Sequence, residues 1–150
     1  MSKANVFISG ASRGIGKSIA NHFAENDYKV IGTSRNDFEF QNKSENLIPI
    51  KLDITSRDDV KKCFNDLKSK DLLPDILINN AGITSDQLFL KMKDDDWDNV
   101  ISTNLTGTYN LTKIFIRNMI KNKNGRIINI SSVAGLMGNP GQVNYSSSKS

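Results

Sequence analysis

The sequence predicts an α/β fold built on a doubly wound parallel sheet, and two observations carry that prediction. Short apolar runs of strand length alternate with longer segments of helical period, and a glycine-rich turn, Gly10 to Gly16, joins the first run to the first helical segment. Strands that alternate with helices pair in parallel, because each crossover carries the chain back along a helix that then covers the sheet.

Ala4 to Ser9 reads as a short buried strand, and the glycine turn leads into a helix with Ile15, Ile19, Phe23 and Ala24 on one side. Lys29 to Thr33 and Leu47 to Leu52 are the second and third strands. Pro49 lies inside the third and cannot donate to a ladder, so this strand belongs at an edge, the outermost place in a 3-2-1-4-5-6 order. The link between them, Arg35 to Asn46, has only 12 residues, so its helix is expected to be short or irregular. Ser56 is placed to cap a helix from Arg57 to about Lys70, with Asp58 and Asp59 in its first turn. Pro74 precedes a fourth strand, Asp75 to Asn79. Asp94 to Asp96 opens one long helical pattern through Trp97, Val100, Leu105, Tyr109 and Ile114 to Lys121, closed by Asn124-Gly125. A fifth strand, Arg126 to Ile130, runs into a Ser131-Ser132 loop, and the turn Gly138 to Gly141 leads to a last helix from Gln142. Five strands are present where a full dinucleotide fold has six or more, and the sequence stops one residue after Lys149. Residues 1–150 are therefore expected to be a single, incomplete domain whose last strands and helices are missing.

Composition narrows the function classes. The net charge of +4 is mild, the basic residues form no dense run, and no aromatic residues interleave them, so a nucleic-acid face is not expected. One cysteine, Cys63, excludes an internal disulfide framework, and its place in the series Val60, Cys63, Phe64, Leu67 makes it a core residue rather than a nucleophile. His22 has no second histidine with which to share a metal, and no metal site is expected. No apolar stretch approaches membrane-spanning length, and a cytoplasmic or organellar-matrix location is expected.

The turn Gly10-Ala11-Ser12-Arg13-Gly14-Ile15-Gly16 lies between strand and helix, where backbone N–H groups and a helix N-terminus bind phosphate. Gly16-Lys17-Ser18 matches the second half of a P-loop, but the first glycine would have to stand at Ala11, and Gly10 is one residue too early. The G-x-G-x-x-G fingerprint does not fit either. At the other end of the chain, Tyr145 and Lys149 stand at i and i+4, so a hydroxyl and an ammonium project from one helix face as a proton-donating pair. Ser146 to Lys149 also reads Ser-x-x-Lys, but the Ser-Asp-Asn and Lys-Thr-Gly partners of penicillin-binding enzymes do not occur.

The spacing Gly-x-x-x-Gly-x-Gly resembles that of the short-chain dehydrogenases/reductases. Asn79-Asn80-Ala81-Gly82 is similar to that family's motif at the end of the fourth strand, and Asn104, Ser132, Tyr145 and Lys149 fall in the order of its catalytic tetrad, with 13 residues from Ser132 to Tyr145. The likeness runs from Val6 to Lys149 and implies a Rossmann fold. Asn79 to Asp86, Gly125 to Ser132 and Gly138 to Lys149 resemble the 3-oxoacyl-acyl-carrier-protein reductases of fatty acid synthesis in particular. The resemblance implies hydride transfer from a reduced nicotinamide to a ketone. Tyr145 would be the general acid, Lys149 would support it and bind the nicotinamide ribose, and Ser132 would hydrogen-bond the substrate carbonyl. Asn104 would mark a helix kink that holds water for a proton relay.

The resemblance also assigns the cofactor contacts. Gly10, Ala11, Ser12, Arg13, Gly14, Ile15 and Gly16 would hold the phosphates, Asp53 and Ile54 the adenine, and Asn80, Ala81 and Gly82 the ribose side. NAD enzymes place an acid near the end of the second strand, whereas NADP enzymes place basic groups there. Here that position reads Ser34-Arg35, and Arg13 projects from the turn, so NADP(H) is favoured, with Asp37 and Glu39 opposing. Lys123 occupies a position where the carrier-protein reductases carry a basic docking residue for their acidic carrier. Substrate specificity and the contacts of a homotetramer would come from segments after Ser150. An acetoacetyl-thioester or sugar-alcohol dehydrogenase, and a nucleotide-binding fragment without turnover, are the alternatives.

Overall fold

In the computed structural model, which describes residues 4–150, β1 (Asn5–Ser9) sits at the centre of a five-stranded sheet. Its side chains alternate between the faces: Phe7 joins one core cluster, Val6 and Ile8 the other, and all three are fully buried. β2 (Lys29–Ser34) and β4 (Ile76–Asn79) flank it in parallel, with Phe7 level with Ile31 and Leu77. β3 (Leu47–Lys51) and β5 (Arg126–Asn129) complete the order β3-β2-β1-β4-β5, the predicted arrangement of the first five strands. Pro49 lies on the edge strand opposite Gly32, where its missing N–H breaks no interior ladder.

One face is covered by α1 (Gly14–Glu25), whose buried Gly16, Ala20 and Ala24 are small enough for the helix to lie close to the sheet. The other is covered by α2 (Arg57–Ser69) and α4 (Gly107–Asn122), where the rings of Phe7 and Phe115 meet at 4.9 Å and those of Phe64 and Phe115 at 5.9 Å. Ser56 caps α2 as predicted, its hydroxyl accepting from Asp59 N–H at 3.2 Å. Cys63 is buried in this second cluster, and burial pushes its thiol up to about 11, so little thiolate forms at neutral pH.

Several expectations are corrected. Residues 35–46 contain no helix; instead Phe38 and Phe40 pack edge-to-face at 5.1 Å and lean on the α1-side core, with Phe40 over Gly32. The crossover is too short for helix plus two turns, and two aromatic rings cover that part of the sheet. The long helix from Asp94 is continuous but irregular: α3 (Asp94–Ile101) runs through a π-helical turn over Ser102–Thr106 into α4, and that turn contains Asn104, where the resemblance implied a kink. The residue that ends α4 in a left-handed conformation is Lys123, at φ +51°, not Asn124-Gly125. Gly125 has a different reason to be glycine: a Cβ there would lie 2.5 Å from Met119 Cβ. Val133–Met137, read as part of a loop, forms the short helix α5, and the last helix, α6, spans Val143–Lys149. Among the described residues no helix is long and apolar enough to cross a membrane.

Candidate active site

The carboxyl ends of the strands open on a cleft of about 540 Å³, within the range of cofactor sites. Its floor is the glycine turn. Gly10 adopts φ +71°, and a Cβ there would stand 2.8 Å from Ala81 Cα, so both the backbone twist and the close approach require glycine. A Cβ on Gly16 would collide with the Gly10 carbonyl and the Asn80 amide. Asn80 is the clamp: its Nδ2 donates to the Ser9 and Gly10 carbonyls at 3.0 and 2.9 Å. The N–H groups of Asn80 and Ala81 both donate to Ser9 Oγ at 3.1 Å. The end of β4 thereby fixes the turn after β1.

α1 begins at this turn with neither a side-chain cap nor an acidic residue in its first turn. Its leading N–H groups and positive end are thus left for an anion. Thr33 Oγ1, buried in the cleft wall, has no hydrogen-bond partner among the described residues. Arg13 and Arg35 line the cleft, and neither has an acidic partner among the described residues. A backbone cradle, an uncapped helix N-terminus and two unpaired guanidinium groups fit a dinucleotide bearing several phosphates. Ser12, Gly14, Ile15, Ser34, Asp53, Ile54, Ala81 and Gly82 line the same cleft. Asp53 turns its Oδ1 onto Thr55, accepting from the N–H at 2.9 Å and the hydroxyl at 2.8 Å. Ala11 and Gly16 are not part of the lining. Both are buried; the Ala11 N–H donates to the Thr33 carbonyl at 2.8 Å, and Gly16, the third residue of α1, keeps its N–H among the helix's leading donors.

Two residues of the predicted tetrad, Asn104 and Lys149, lie beside the Gly82–Ile83 end of this cleft. Asn104, in the middle of the π turn, is buried; its Nδ2 donates to the Ile83 carbonyl at 3.0 Å and to Ser148 Oγ at 2.9 Å, while its Oδ1 accepts from Ile83 N–H at 2.9 Å. It therefore joins the segment after β4 to α6. A Cβ built on Gly82 would lie 3.4 Å from both Asn104 Oδ1 and Lys149 Nζ, which places the ammonium and the amide around one glycine. Lys149 Nζ donates to the Ile130 carbonyl at 2.8 Å, and burial pushes its pKa down. Tyr145 stands one turn before Lys149 on α6, and no hydrogen bond joins the two side chains. Ser132 caps α5, its Oγ accepting from Ala134 N–H at 3.2 Å, which leaves the hydroxyl proton free to be donated. α5 packs hard on the end of α6, since a Cβ on Gly135 would collide with the Lys149 carbonyl. Lys123 lies apart, exposed at the end of α4.

Sequence reasoning missed Asn144 and Ser148. Asn144 is fully buried; its Nδ2 donates to the Ser85 and Asp96 carbonyls at 3.0 and 3.1 Å, and its Oδ1 accepts from Tyr145 N–H at 2.8 Å. The available signal was α6 itself, a helix with almost no apolar residues, which can be buried only on polar partners. A second Tyr-x-x-x-Lys also exists. Lys113 Nζ donates directly to Tyr109 Oη at 2.7 Å, on the exposed side of α4, beside an apolar groove of about 460 Å³ between α2 and α4. None of the predicted site residues lines that groove. Spacing alone does not separate the two pairs; their neighbours do.

This sheet order, with a clamped glycine turn at the end of β1, defines a dinucleotide-binding α/β protein of the Rossmann type. The chain belongs to the short-chain dehydrogenase family, whose model, described as short chain dehydrogenase, matches residues 4–150. It is similar to the 3-oxoacyl-[acyl-carrier-protein] reductase FabG of Thermotoga maritima, 42% identical over 149 residues, covering 95% of this chain and 61% of that protein. The protein of the same name from Escherichia coli is 41% identical over 146 residues, covering 95% and 60%. Among solved structures, "ElxO with NADP Bound" matches at a TM-score of 0.91 and 39% identity, over 99% of this chain and 63% of that one. "4-hydroxyisoleucine dehydrogenase complexed with NADH" matches at 0.87 and 34%, over 96% and 62%. The chain spans about three-fifths of the length of these relatives.

Proposed function

We propose that the protein is an NADPH-dependent reductase of 3-oxoacyl thioesters carried on acyl carrier protein, with Asn104, Ser132, Tyr145 and Lys149 as its working residues. The observation that carries this reading is the junction at Gly82. There the end of the cofactor cleft, the π turn and the Tyr145–Lys149 helix are held together through Asn104. The bound nicotinamide would supply the hydride. Arg13, Ser34 and Arg35 would hold the adenosine phosphate end, with the remaining cleft-lining residues orienting the dinucleotide. Tyr145 gives its hydroxyl proton to the carbonyl oxygen as negative charge develops there. Ser132 donates its free hydroxyl proton to the same oxygen as a hydrogen bond. Lys149 uses one N–H on Ile130 and keeps two for the Tyr145 side of the site. Residues 1–150 form one NADP-binding domain in this reading, the full-length protein is a homo-oligomer, and Lys123 contributes to docking the acidic carrier.

The test is NADPH oxidation by the purified protein with a short 3-oxoacyl thioester, beside NADH and a Tyr145→Phe variant. Turnover with NADPH that falls roughly 10²- to 10⁴-fold in Tyr145→Phe, with NADPH affinity kept, is expected. Turnover that survives Tyr145→Phe, or NADPH binding without any ketone reduction, would refute the mechanism.

A further inference from the structure

Asp37 conflicts with a rim built for phosphate. It lines the same cleft as Arg13 and Arg35, where its carboxylate would repel the group those cations attract. The fold answers with Lys51, whose Nζ donates to Asp37 Oδ2 at 2.7 Å. The parallel register of β2 and β3 sets Lys51 opposite Ser34, the last residue of β2, so the sheet itself brings the ammonium beside the Arg35 to Asp37 segment. The only other ion pair among the described residues, Lys62 with Asp59, is looser at 3.9 Å and lies on α2. Asp53, the other carboxylate of the lining, is turned onto Thr55, and Glu39 is exposed outside the lining. The hydrogen bond from Lys51, and its charge, hold the Asp37 carboxyl below its ordinary range.

We propose that Lys51 is a positioning residue for cofactor selection, pairing Asp37 so that its carboxylate no longer opposes a phosphate at the Arg13–Arg35 end of the cleft. This rests on the reading that the cleft binds NADP(H). With Lys51 the local balance is three cations against one carboxylate; without it, two cations face a carboxylate free to turn toward them. An exposed pair of this kind adds little to stability. It changes the local potential instead, so it should show as discrimination between cofactors and should weaken with salt.

The experiment is a fluorescence titration of the purified protein with NADPH and with NADH, at low and high ionic strength, for wild type, Lys51→Met, Asp37→Asn and the double variant. Lys51→Met should lower the ratio of NADPH to NADH affinity roughly three- to tenfold at low salt, and less at high salt. The double variant should return to within about twofold of wild type, because the carboxylate to be neutralised is gone. A purely structural role would weaken both cofactors alike, leave the ratio unchanged and resist rescue by Asp37→Asn, and that result overturns the role of Lys51. If wild type prefers NADPH and Lys51→Met keeps that preference, only this role falls. If wild type binds NADPH no better than NADH, the NADP reading fails and the role of Lys51 with it.

Discussion

Lys149 is a cation placed half inside the protein, and its cost depends on pH. Burial lowers its pKa from the ordinary 10.5, and its one protein hydrogen bond is to the Ile130 carbonyl. Between the lowered value and 10.5 the unfolded chain therefore binds this proton more readily than the folded one, and stability rises with pH across that window. As pH falls through it, stability is lost. Urea midpoints followed from about pH 10.5 down to about pH 8 should drop more in wild type than in Lys149→Met, which has no proton to take up. Parallel curves for the two proteins would show that Lys149 is not desolvated as the fold implies. The same burial suits the proposed chemistry, because a charge in a partly dry site acts more strongly on its neighbours than one in water.

At the scale of elements, the π turn decides where the site is. A regular helix through Asp94–Asn122 would carry Asn104 around on a single period. The widened turn instead sets its side chain against Ile83 on one side and Ser148 on the other. Gly107 begins α4 directly beneath Ile54, where a Cβ would approach the Ile54 side chain to 2.6 Å, so the Ile54 side of the cleft is packed against the same turn. Asn104→Ala removes both Ile83 bonds and the Ser148 bond, and leaves partly buried and buried partners unpaired. A loss of about 2–4 kcal/mol in urea denaturation is expected, with activity falling alongside it because α6 loses its tether. A variant within about 0.5 kcal/mol of wild type would mean that water or a shift of the turn replaces the clamp.

Across the whole molecule, stability and site draw on different parts. The Phe7, Phe64 and Phe115 rings form the centre of the larger core, and Phe115→Ala is expected to cost about 3–5 kcal/mol. Tyr109→Phe, which breaks the 2.7 Å hydrogen bond from Lys113 on the surface, should change stability by no more than about 0.5 kcal/mol and leave cofactor binding untouched. Thermal and urea unfolding of the two variants side by side checks the contrast. Comparable losses would mean that the α2–α4 groove, not the aromatic core, holds that face together.

Much of this was legible in the sequence because it follows from local rules. Short apolar runs and helical periods gave the strands and helices, Pro49 placed the edge, Ser56 marked a helix start, and the glycine spacing marked the turn between β1 and α1. The resemblance carried by Asn79 to Gly82 and by Tyr145 and Lys149 supplied the family. Local rules do not reach contacts made between distant segments. Nothing near Asn80 in sequence says that its amide is spent on Ser9 and Gly10, nor does anything near Lys51 say that it will meet Asp37. Asn144 and Ser148 looked like ordinary polar positions until α6 was buried against the π turn. The resemblance put Asn104 at a helix kink, but its bonds to Ile83 and Ser148 were not legible in the sequence. Chain pattern fixes which backbone forms each element, since that depends on neighbours a few residues away. Which polar side chains become buried, and what they hold, depends on where the sheet brings segments 72 or more residues apart, and only the tertiary structure decides that.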